Sequence, residues 1–566
     1  VLFRSLLADL SIRQDLSALT KGLAAEASVS FDNIGGMNET TNKEYRYMNS
    51  NASITSDGTL VTTPAIYGTD SETLGHTQPF ERLMLRSDFQ AKVDYNRTFG
   101  KHQVGGALIY DMQSVVKNGR NNSQKNQSVL VNATYTYDNR YSLNAVFNRS
   151  GSAYLPDGDK YSNYPAVSAA WIVSNEAFME KVTPINLFKI RASYGLSGWD
   201  GNLSHELWRQ SYGSGGAGYN FGVNAGGQSG GSEGDLPVIG LVAEKSQKAT
   251  FGFDLAAFDN RLNATVEGFY EKRSDILVSG ANSTSGIIGI TVGQVNEGIY
   301  KYKGVDASLS WNDKIGDFHY GIGASMSYLN TEVVNVNQAY QEYDYLYTKG
   351  NRIGQMYGLE AIGFFNSQQE INNSPQQTFS DVAPGDVKYK DQNGDNRIDE
   401  KDIVKMFGSS VPRFYFGFNL NFSYKRLELS ADFQGMTGVT VSLLNSPLYS
   451  PLVSNGNISN TFLNEEISWT PENKTNATMP RLTTQENLNN YRASSLWYRD
   501  GSFLKLRNLL VAYTFPKSQT RFADLKVFVQ GTNLFSLDNI HFADPEQLGI
   551  AYPSTRSYWA GIKLNF

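Results

Sequence analysis

Residues 427–434 read Leu-Glu-Leu-Ser-Ala-Asp-Phe-Gln, with an apolar side chain at every odd position and a polar one at every even position. Successive side chains of a β-strand point to opposite faces of a sheet, whereas a helix would scatter them around its circumference. The segment therefore predicts a strand with one apolar and one polar face.

The same alternation recurs along the whole chain, for example in 128–137, 262–267 and 414–424. It predicts about 17 strands, joined by connections that alternate strictly between short and long. The order begins and ends on a strand that runs toward the short turns, so we expect the C-terminus in the periplasm. The short connections include Asp138-Asn139-Arg140, Asp259-Asn260-Arg261, Asn312 to Gly316 and Lys425-Arg426; the long ones run about 34–82, 119–126, 156–162, 199–245, 280–292, 337–411, 444–501 and 540–553.

The composition agrees with many strands joined by glycine-rich turns. The 566 residues include 52 Gly, 33 Tyr and 31 Phe, but only 16 Pro and no Cys. Mean hydropathy is −0.39, and no apolar run approaches the roughly 18–20 residues of a membrane helix. A hydropathy test does not detect membrane-spanning strands, because the apolar and polar faces of each strand average to a nearly neutral hydropathy. Outer-membrane barrels also have short turns at one end and long loops at the other, as predicted here. We therefore predict an all-β fold, a transmembrane antiparallel β-barrel.

The last nine residues, 558–566, read Tyr-Trp-Ala-Gly-Ile-Lys-Leu-Asn-Phe. Many bacterial outer-membrane proteins end on such a strand, with an aromatic residue at the terminus that the assembly machinery recognises. We accordingly predict a barrel-assembly signal at Tyr558, Ile562, Leu564 and Phe566.

The N-terminus lacks this kind of signature. No signal peptide precedes the first strand-like pattern at Val1, and single-chain bacterial barrels have even strand numbers. An odd count predicts missing strands, roughly five of them if the intact barrel has about 22. We expect the chain to be residues 1–566 of a partial barrel, with any preceding plug also missing.

Several motifs, in order, resemble the SusC/RagA family of TonB-linked outer-membrane transporters. The resemblance is densest from about 384 to 566 and looser toward the start. The motifs are Pro384 to Asp399, Val411 to Leu420, Asp432-Phe433-Gln434-Gly435-Met436-Thr437-Gly438, Phe503 to Leu509, Tyr513-Thr514-Phe515-Pro516, Gly531 to Phe535, and Asp544-Pro545-Glu546.

The resemblance implies a 22-stranded barrel closed by an N-terminal plug. It also implies import of oligosaccharides or peptides with energy from the TonB complex, and a SusD-like surface lipoprotein as a lid. The motifs found in residues 1–566 do not include the plug or the segment that contacts TonB. Energised transport is therefore an expectation from the family resemblance alone.

Within 384–404, an acidic loop has the oxygen spacing of an EF-hand. Carboxylate or amide oxygens at loop positions 1, 3, 5, 9 and 12, with a backbone carbonyl at position 7, would converge on Ca²⁺. Two departures from that pattern are Asn396 at position 6 and a short acidic side chain at position 12. The alternative is a solvated acidic turn. The predicted ligands are Asp391, Asn393, Asp395, Arg397, Asp399 and Asp402.

Aromatic residues in two long loops suggest contacts with a ligand or a lid, because sugar rings stack on aromatic faces and Tyr and Trp are favoured at interfaces. Each one is equally well explained as a girdle or loop-packing residue. The residues are Trp199, Trp208, Tyr212 and Tyr219 in one loop, and Tyr340, Tyr343, Tyr345, Tyr347 and Tyr357 in the other.

Other functions find little support. The net charge of −6 argues against nucleic acid, and the five histidines show no HExxH spacing. The glycine-rich run 213–218 lacks the strand–loop–helix context of a phosphate loop. The remaining alternatives are a passive porin or autotransporter-like barrel, an outer-membrane enzyme, and a soluble surface-binding β protein; no cofactor is expected besides Ca²⁺.

Overall fold

The computed structural model describes residues 2–55, 59–77, 80–117, 123–220, 227–280, 287, 289, 292–446, 467–483, 486–540, 543–547 and 554–565. The chain folds into two compact units. Unit 1 comprises Val1–Tyr135, Ala145–Pro165 and Leu203–Leu207; unit 2 comprises Thr136–Asn144, Ala166–Asn202 and Trp208–Phe566.

Seventeen of the described strands belong to one antiparallel sheet, which confirms the predicted fold class and the number of strands. In chain order they are β1 (Leu2–Asp15), β2 (Leu23–Met37), β3 (Phe80–Phe99), β4 (His102–Lys117), β5 (Ser123–Tyr137), β6 (Tyr141–Ser152), β7 (Tyr161–Ile172), β8 (Ile185–Trp199), β9 (Glu244–Ala257), β10 (Leu262–Ser279), β11 (Gln294–Ile315), β12 (Phe318–Asn335), β13 (Phe414–Tyr424), β14 (Leu427–Thr437), β15 (Phe503–Phe515), β16 (Asp524–Asp538) and β17 (Ser557–Asn565).

Consecutive strands pair with each other within each unit. In unit 1, β1 pairs with β2, β2 with β3 and β3 with β4. In unit 2, β8 pairs with β9 and the pairing continues strand by strand through β17. This meander brings each strand's side chains into register with those of its sequence neighbours.

Local sequence explains the two faces of the sheet. In β14, Leu429 is directly opposite Phe422 of β13 on the exposed apolar face, while Ser430 of β14 donates a 2.7 Å hydrogen bond to Asn421 on the polar face. The predicted alternation at 427–434 is therefore present in the structure. Among the described residues, no helix has the length and apolar character needed to cross a membrane.

The connections mostly follow the prediction, with two corrections. The turn predicted at Asn312 to Gly316 is shorter, because β11 continues to Ile315 and pairs there with Phe318. Strict alternation of length is also wrong. The connection 173–184, at the short-turn end, is longer than 118–122 at the other end and contains two 3-10 turns.

The connections contain further short elements. The strands are Thr40–Asn42, Tyr47–Ile54, Leu60–Tyr67, Gly75–Thr77, Tyr212–Asn220, Gly227–Glu233, Gln355–Gly358, Ala361–Phe364, Gln376–Gln377, Val387–Tyr389, Arg397–Ile398, Val404–Ser409, Thr440–Ser442 and Tyr498–Asp500. The α-helices are Gln368–Asn372 and Lys517–Thr520, and the 3-10 helices are Val173–Asn175, Ala177–Met179, Asp344–Leu346, Glu400–Asp402 and Leu443–Asn445.

Candidate functional site

The two longest connections of unit 2 fold together into what we call the loop module, formed by residues 336–413, 438–446, 467–483 and 486–502. Within it, Gln355–Gly358 pairs with Val404–Ser409, and Ala361–Phe364 pairs with Val387–Tyr389. The module stands at the end of the strands where the long connections lie.

Two small hydrophobic cores stabilise the loop module. The first is made of Leu359, Val387, Tyr389 and Ile398, and the second of Leu443, Met479 and Trp497. Leu496 packs against both cores. Burying such side chains contributes about 1.5–3 kcal/mol each, so the module is a folded body and not a pair of loose loops.

A buried carboxylate joins the two connections. Asp386 has no exposed surface, and Arg481 donates to it from Nε at 2.7 Å and from Nη2 at 3.2 Å. The side-chain amides of Asn487 and Asn490 donate to its Oδ1, and the backbone N–H of Ala383 donates to its Oδ2. A buried charge is tolerated when it is paired and fully hydrogen-bonded, which is the case here.

The neighbouring residues extend this network. The side chain of Asn490 accepts from the backbone N–H of Val387 at 2.9 Å, and the side-chain amide of Asn489 donates to the Val387 carbonyl at 2.9 Å. The Tyr389 hydroxyl donates to the Asn489 carbonyl at 2.7 Å, and burial raises the pKa of that hydroxyl. Nothing in the local sequence pattern distinguishes these asparagines from other loop residues.

The acidic loop uses its oxygens to hold its own backbone. Asp391 accepts from the backbone N–H groups of Gly394 and Asn396, and Asp395 accepts from that of Arg397. Asp402 is buried and accepts from the N–H groups of Gln392 and Asp399.

These contacts are compatible with both interpretations of the acidic loop, as a Ca²⁺-binding loop and as a solvated acidic turn. Among the described residues, no three His, Asp or Glu side chains lie close enough together to form a metal-binding group. The donor set is nevertheless the one that Ca²⁺ prefers, and Asn396 has the positive φ of 63° that its loop position requires. Calcium binding at 391–402 therefore stays a prediction.

The predicted tyrosines of the loop module divide into two groups. Tyr347 and Tyr357 hold the module itself, since the Tyr357 hydroxyl donates to the Tyr347 carbonyl at 3.1 Å. Tyr343 and Tyr345 stack on each other with their centroids 5.3 Å apart, and the Tyr345 hydroxyl donates to the Lys401 carbonyl of the acidic loop. Tyr340 is 85% exposed, which leaves its ring available for a contact.

The second predicted aromatic group lies on another connection. Trp199 ends β8, the Arg209 guanidinium lies 4.3 Å from the Trp208 ring centroid, and Tyr212 begins a hairpin. Tyr219 belongs to the same hairpin strand as Tyr212. Trp199, Tyr212 and Tyr219 are all exposed.

Sequence reasoning missed a charged and aromatic patch on the polar face of β9, β10 and β11. Arg273 Nε lies 2.6 Å from Glu271 Oε1, and its guanidinium lies 4.7 Å from the Tyr302 ring centroid. Ser246 donates to Glu271 at 2.7 Å, and the Lys248 ammonium lies 5.3 Å from the Phe269 ring centroid. Alternate residues of adjacent strands produce this patch, which the alternation of each single strand does not reveal.

Two of the resembling motifs contact each other. Lys505 is buried, and its ammonium contacts Asp544 at 2.5 Å and Glu546 at 2.7 Å. Arg507 contacts Glu546 at 2.5 Å. Burial opposes ionisation of Asp544, but Lys505 and Ser554 still hold the pKa of its carboxyl below the usual value. The motifs thus fix the last long connection to β15.

The predicted assembly residues Tyr558, Ile562 and Leu564 lie on β17, which pairs with β16. All three are exposed on the strand. Phe566 lies outside the described residues, and the assembly signal stays a prediction.

Comparison with known proteins agrees with this architecture. The RagAB peptide transporter structure covers the whole chain, with a TM-score of 0.73 and 18% identity, while the chain covers 62% of it. TonB-dependent receptor P26 of Formosa agariphila is 28% identical over 76% of the chain and 45% of its own length. The TonB-dependent receptor SusC of Bacteroides thetaiotaomicron is 22% identical over 76% of the chain and 43% of its own length.

The chain is SusC/RagA-like and has the barrel fold of TonB-dependent receptors. This confirms the resemblance carried by the motifs. The SusC/RagA-like chain spans about half the length of the curated relatives it matches. No protein-family model matches it. The names of these relatives are those of receptors and a transporter.

Proposed function

We propose that the SusC/RagA-like chain forms the barrel wall and outer loops of a bacterial outer-membrane importer. The importer takes up oligosaccharides or peptides with energy from the TonB complex. The observation that carries the proposal is the seventeen-stranded sheet, whose fold matches the RagAB peptide transporter over the entire chain. The relatives named TonB-dependent receptors support the energy source.

The polar face provides the ligand path in this proposal. Lumen-facing positions of such barrels are polar, and those of β9, β10 and β11 include Lys248, Glu271, Arg273 and Tyr302. Cationic side chains bind peptide carboxylates, and an aromatic face stacks against an apolar side chain or a sugar ring. This patch is therefore suited to either ligand class.

The loop module acts at the outer entrance. The stacked pair Tyr343 and Tyr345 is tied to the acidic loop by the hydrogen bond from the Tyr345 hydroxyl to the Lys401 carbonyl, and Tyr340 lies exposed nearby in sequence. Rigid aromatic residues contribute contact area at low entropic cost, so we assign them contacts with ligand and with a SusD-like surface lipoprotein.

Ion conductance separates this importer from a passive porin. The complete gene product is reconstituted in planar bilayers, and the current is measured with and without candidate oligosaccharides and peptides. We expect no stable open channel, because an importer of this kind keeps its lumen closed. A steady conductance that is independent of any energy source would contradict the proposal and support the porin.

A further inference from the structure

Three lysines lie together on the exposed, apolar face of β10 and β11. Lys272 of β10 is directly opposite Lys301 of β11, and Lys303 is directly opposite Tyr270. Tyr270 is exposed, and residues paired in this way share a face of the sheet. Glu271 and Arg273 of the polar patch point to the other face.

The position of the lysines along the strands matches the edge of a membrane. Lys272 is ten residues from Leu262, where β10 begins, and Lys301 is ten residues from Trp311. A strand crosses the hydrocarbon layer in about 9–11 residues. Trp311 packs against Phe258 at the short-turn end, and Tyr270 and Tyr328 lie exposed toward the other end. Lys272 and Lys301 therefore follow directly after this second pair of aromatic residues, and Lys303 lies level with Tyr270.

The charges of this patch are not balanced. Like charges directly opposite each other on adjacent strands are destabilising, and Lys272 and Lys301 are such a pair. Glu332 of β12 is directly opposite Lys301, and Asn330 is opposite Lys303. Among the described residues, no carboxylate oxygen lies within ion-pair distance of any of the three lysines. The patch thus contains three positive charges and one carboxylate, that of Glu332, which forms no ion pair with these lysines.

We propose that Lys272, Lys301 and Lys303 bind the phosphate-bearing headgroup of an anionic lipid in the outer leaflet. The acyl chains of that lipid lie along the exposed apolar surface below, which includes Tyr270, Val305 and Leu309. Charge complementarity identifies the occupant, since an anionic headgroup relieves the repulsion between the lysines at the depth where headgroups lie. This inference rests on the outer-membrane orientation of the proposed function.

The test uses the complete protein in mild detergent, titrated with phosphatidylglycerol or with phosphatidylcholine of the same chain length. Native mass spectrometry counts the lipids bound. We expect the wild type to retain phosphatidylglycerol. The variant K272Q/K301Q/K303Q should bind this lipid with an affinity that is lower by a factor of about ten or more. The charge-matched control K21Q/K314Q/K517Q removes three lysines from the short-turn end and leaves binding unchanged.

Two results would overturn the lipid site. Either the triple variant binds phosphatidylglycerol as tightly as the wild type, or the wild type holds phosphatidylcholine equally well. If millimolar inorganic phosphate displaces the lipid, the three lysines bind a free anion and not a lipid headgroup, which would also contradict the proposal. Heat-modifiable migration on gels checks that each variant is folded. If the triple variant does not fold, the single variant K303Q is tested in its place. Ligand uptake is measured separately, so failure of import and failure of lipid binding are distinguishable.

Discussion

The Arg481 guanidinium makes two hydrogen bonds to the Asp386 carboxylate, and these residues belong to different long connections of the sheet. Asp386 is fully buried, while Arg481 is partly exposed. The pair therefore joins the two halves of the loop module through a carboxylate that water does not reach.

Substituting Asp386→Ala leaves the donors of Arg481, Asn487 and Asn490 without an acceptor. Removing one partner of a buried ion pair costs about 3–5 kcal/mol, so we expect the loop module to unfold locally while the barrel persists. Hydrogen exchange should increase across 376–410 and 486–497, with heat-modifiable migration unchanged. The control Asp381→Asn removes an exposed carboxylate from the same connection. Equal protection in D386A and the control would show that the network does not hold the module.

Acid should loosen the loop module in a defined pH range. The backbone N–H of Asn366 and the Lys388 ammonium lower the pKa of Glu370 below its ordinary 4.5. A lowered pKa stabilises the folded state above the unfolded value and loses that contribution as pH falls through the folded value. We expect exchange protection around 366–390 to stay constant from neutral pH to about pH 5 and to decline below about 4.5. In Glu370→Gln this part of the decline should be missing; an unchanged acid profile would exclude this ion pair as its cause.

Calcium should order the acidic loop further if Asp391 and Asp395 bind it. The readout is the difference in hydrogen exchange at 391–402 between added Ca²⁺ and a chelator. We expect slower exchange with Ca²⁺ in the wild type and no difference in the double variant D391N/D395N, because the charged ligands are lost. Exchange that is the same in Ca²⁺ and chelator for the wild type would identify the segment as a solvated acidic turn.

The terminal strand should govern assembly of the barrel. Replacing Phe566 by Ser removes the aromatic end of the apolar face that Tyr558, Ile562 and Leu564 share in sequence. We expect less folded protein in the outer membrane, measured as the heat-modifiable fraction. Phe566→Tyr keeps an aromatic ring and should assemble normally. Equal assembly of the Ser and Tyr variants would exclude this residue from the signal.

Sequence reasoning succeeded where the structure depends on local pattern. The strand predicted at 427–434 is β14, because alternation is a property of neighbouring residues. The turn near Gly316 was predicted too long, because polar Asn312 to Lys314 continue the ladder with β12 despite looking like a turn. Polar residues are acceptable there, since both faces of a strand end meet water.

The loop module was beyond sequence reasoning, for a physical reason. Asp386 and Arg481 are 95 positions apart, and no local period links them. The tyrosines show the same limit. The Tyr357 hydroxyl donates to the Tyr347 carbonyl inside the module, whereas Tyr340 is exposed, and ligand contact at both residues stays a prediction. The abundance of tyrosine indicates that these loops could bind a ligand. Only the fold shows which tyrosines form hydrogen bonds within the module and which are exposed to solvent.

Energy-dependent uptake tests the central claim most directly. Cells with the complete gene and cells lacking it are given labelled oligosaccharides and labelled peptides, with and without a protonophore. We expect gene-dependent accumulation of one ligand class, falling to the level of the deletion strain when the proton gradient is collapsed or TonB is deleted. Gene-dependent uptake that continues unchanged in protonophore-treated cells would contradict TonB-driven import and indicate a passive channel.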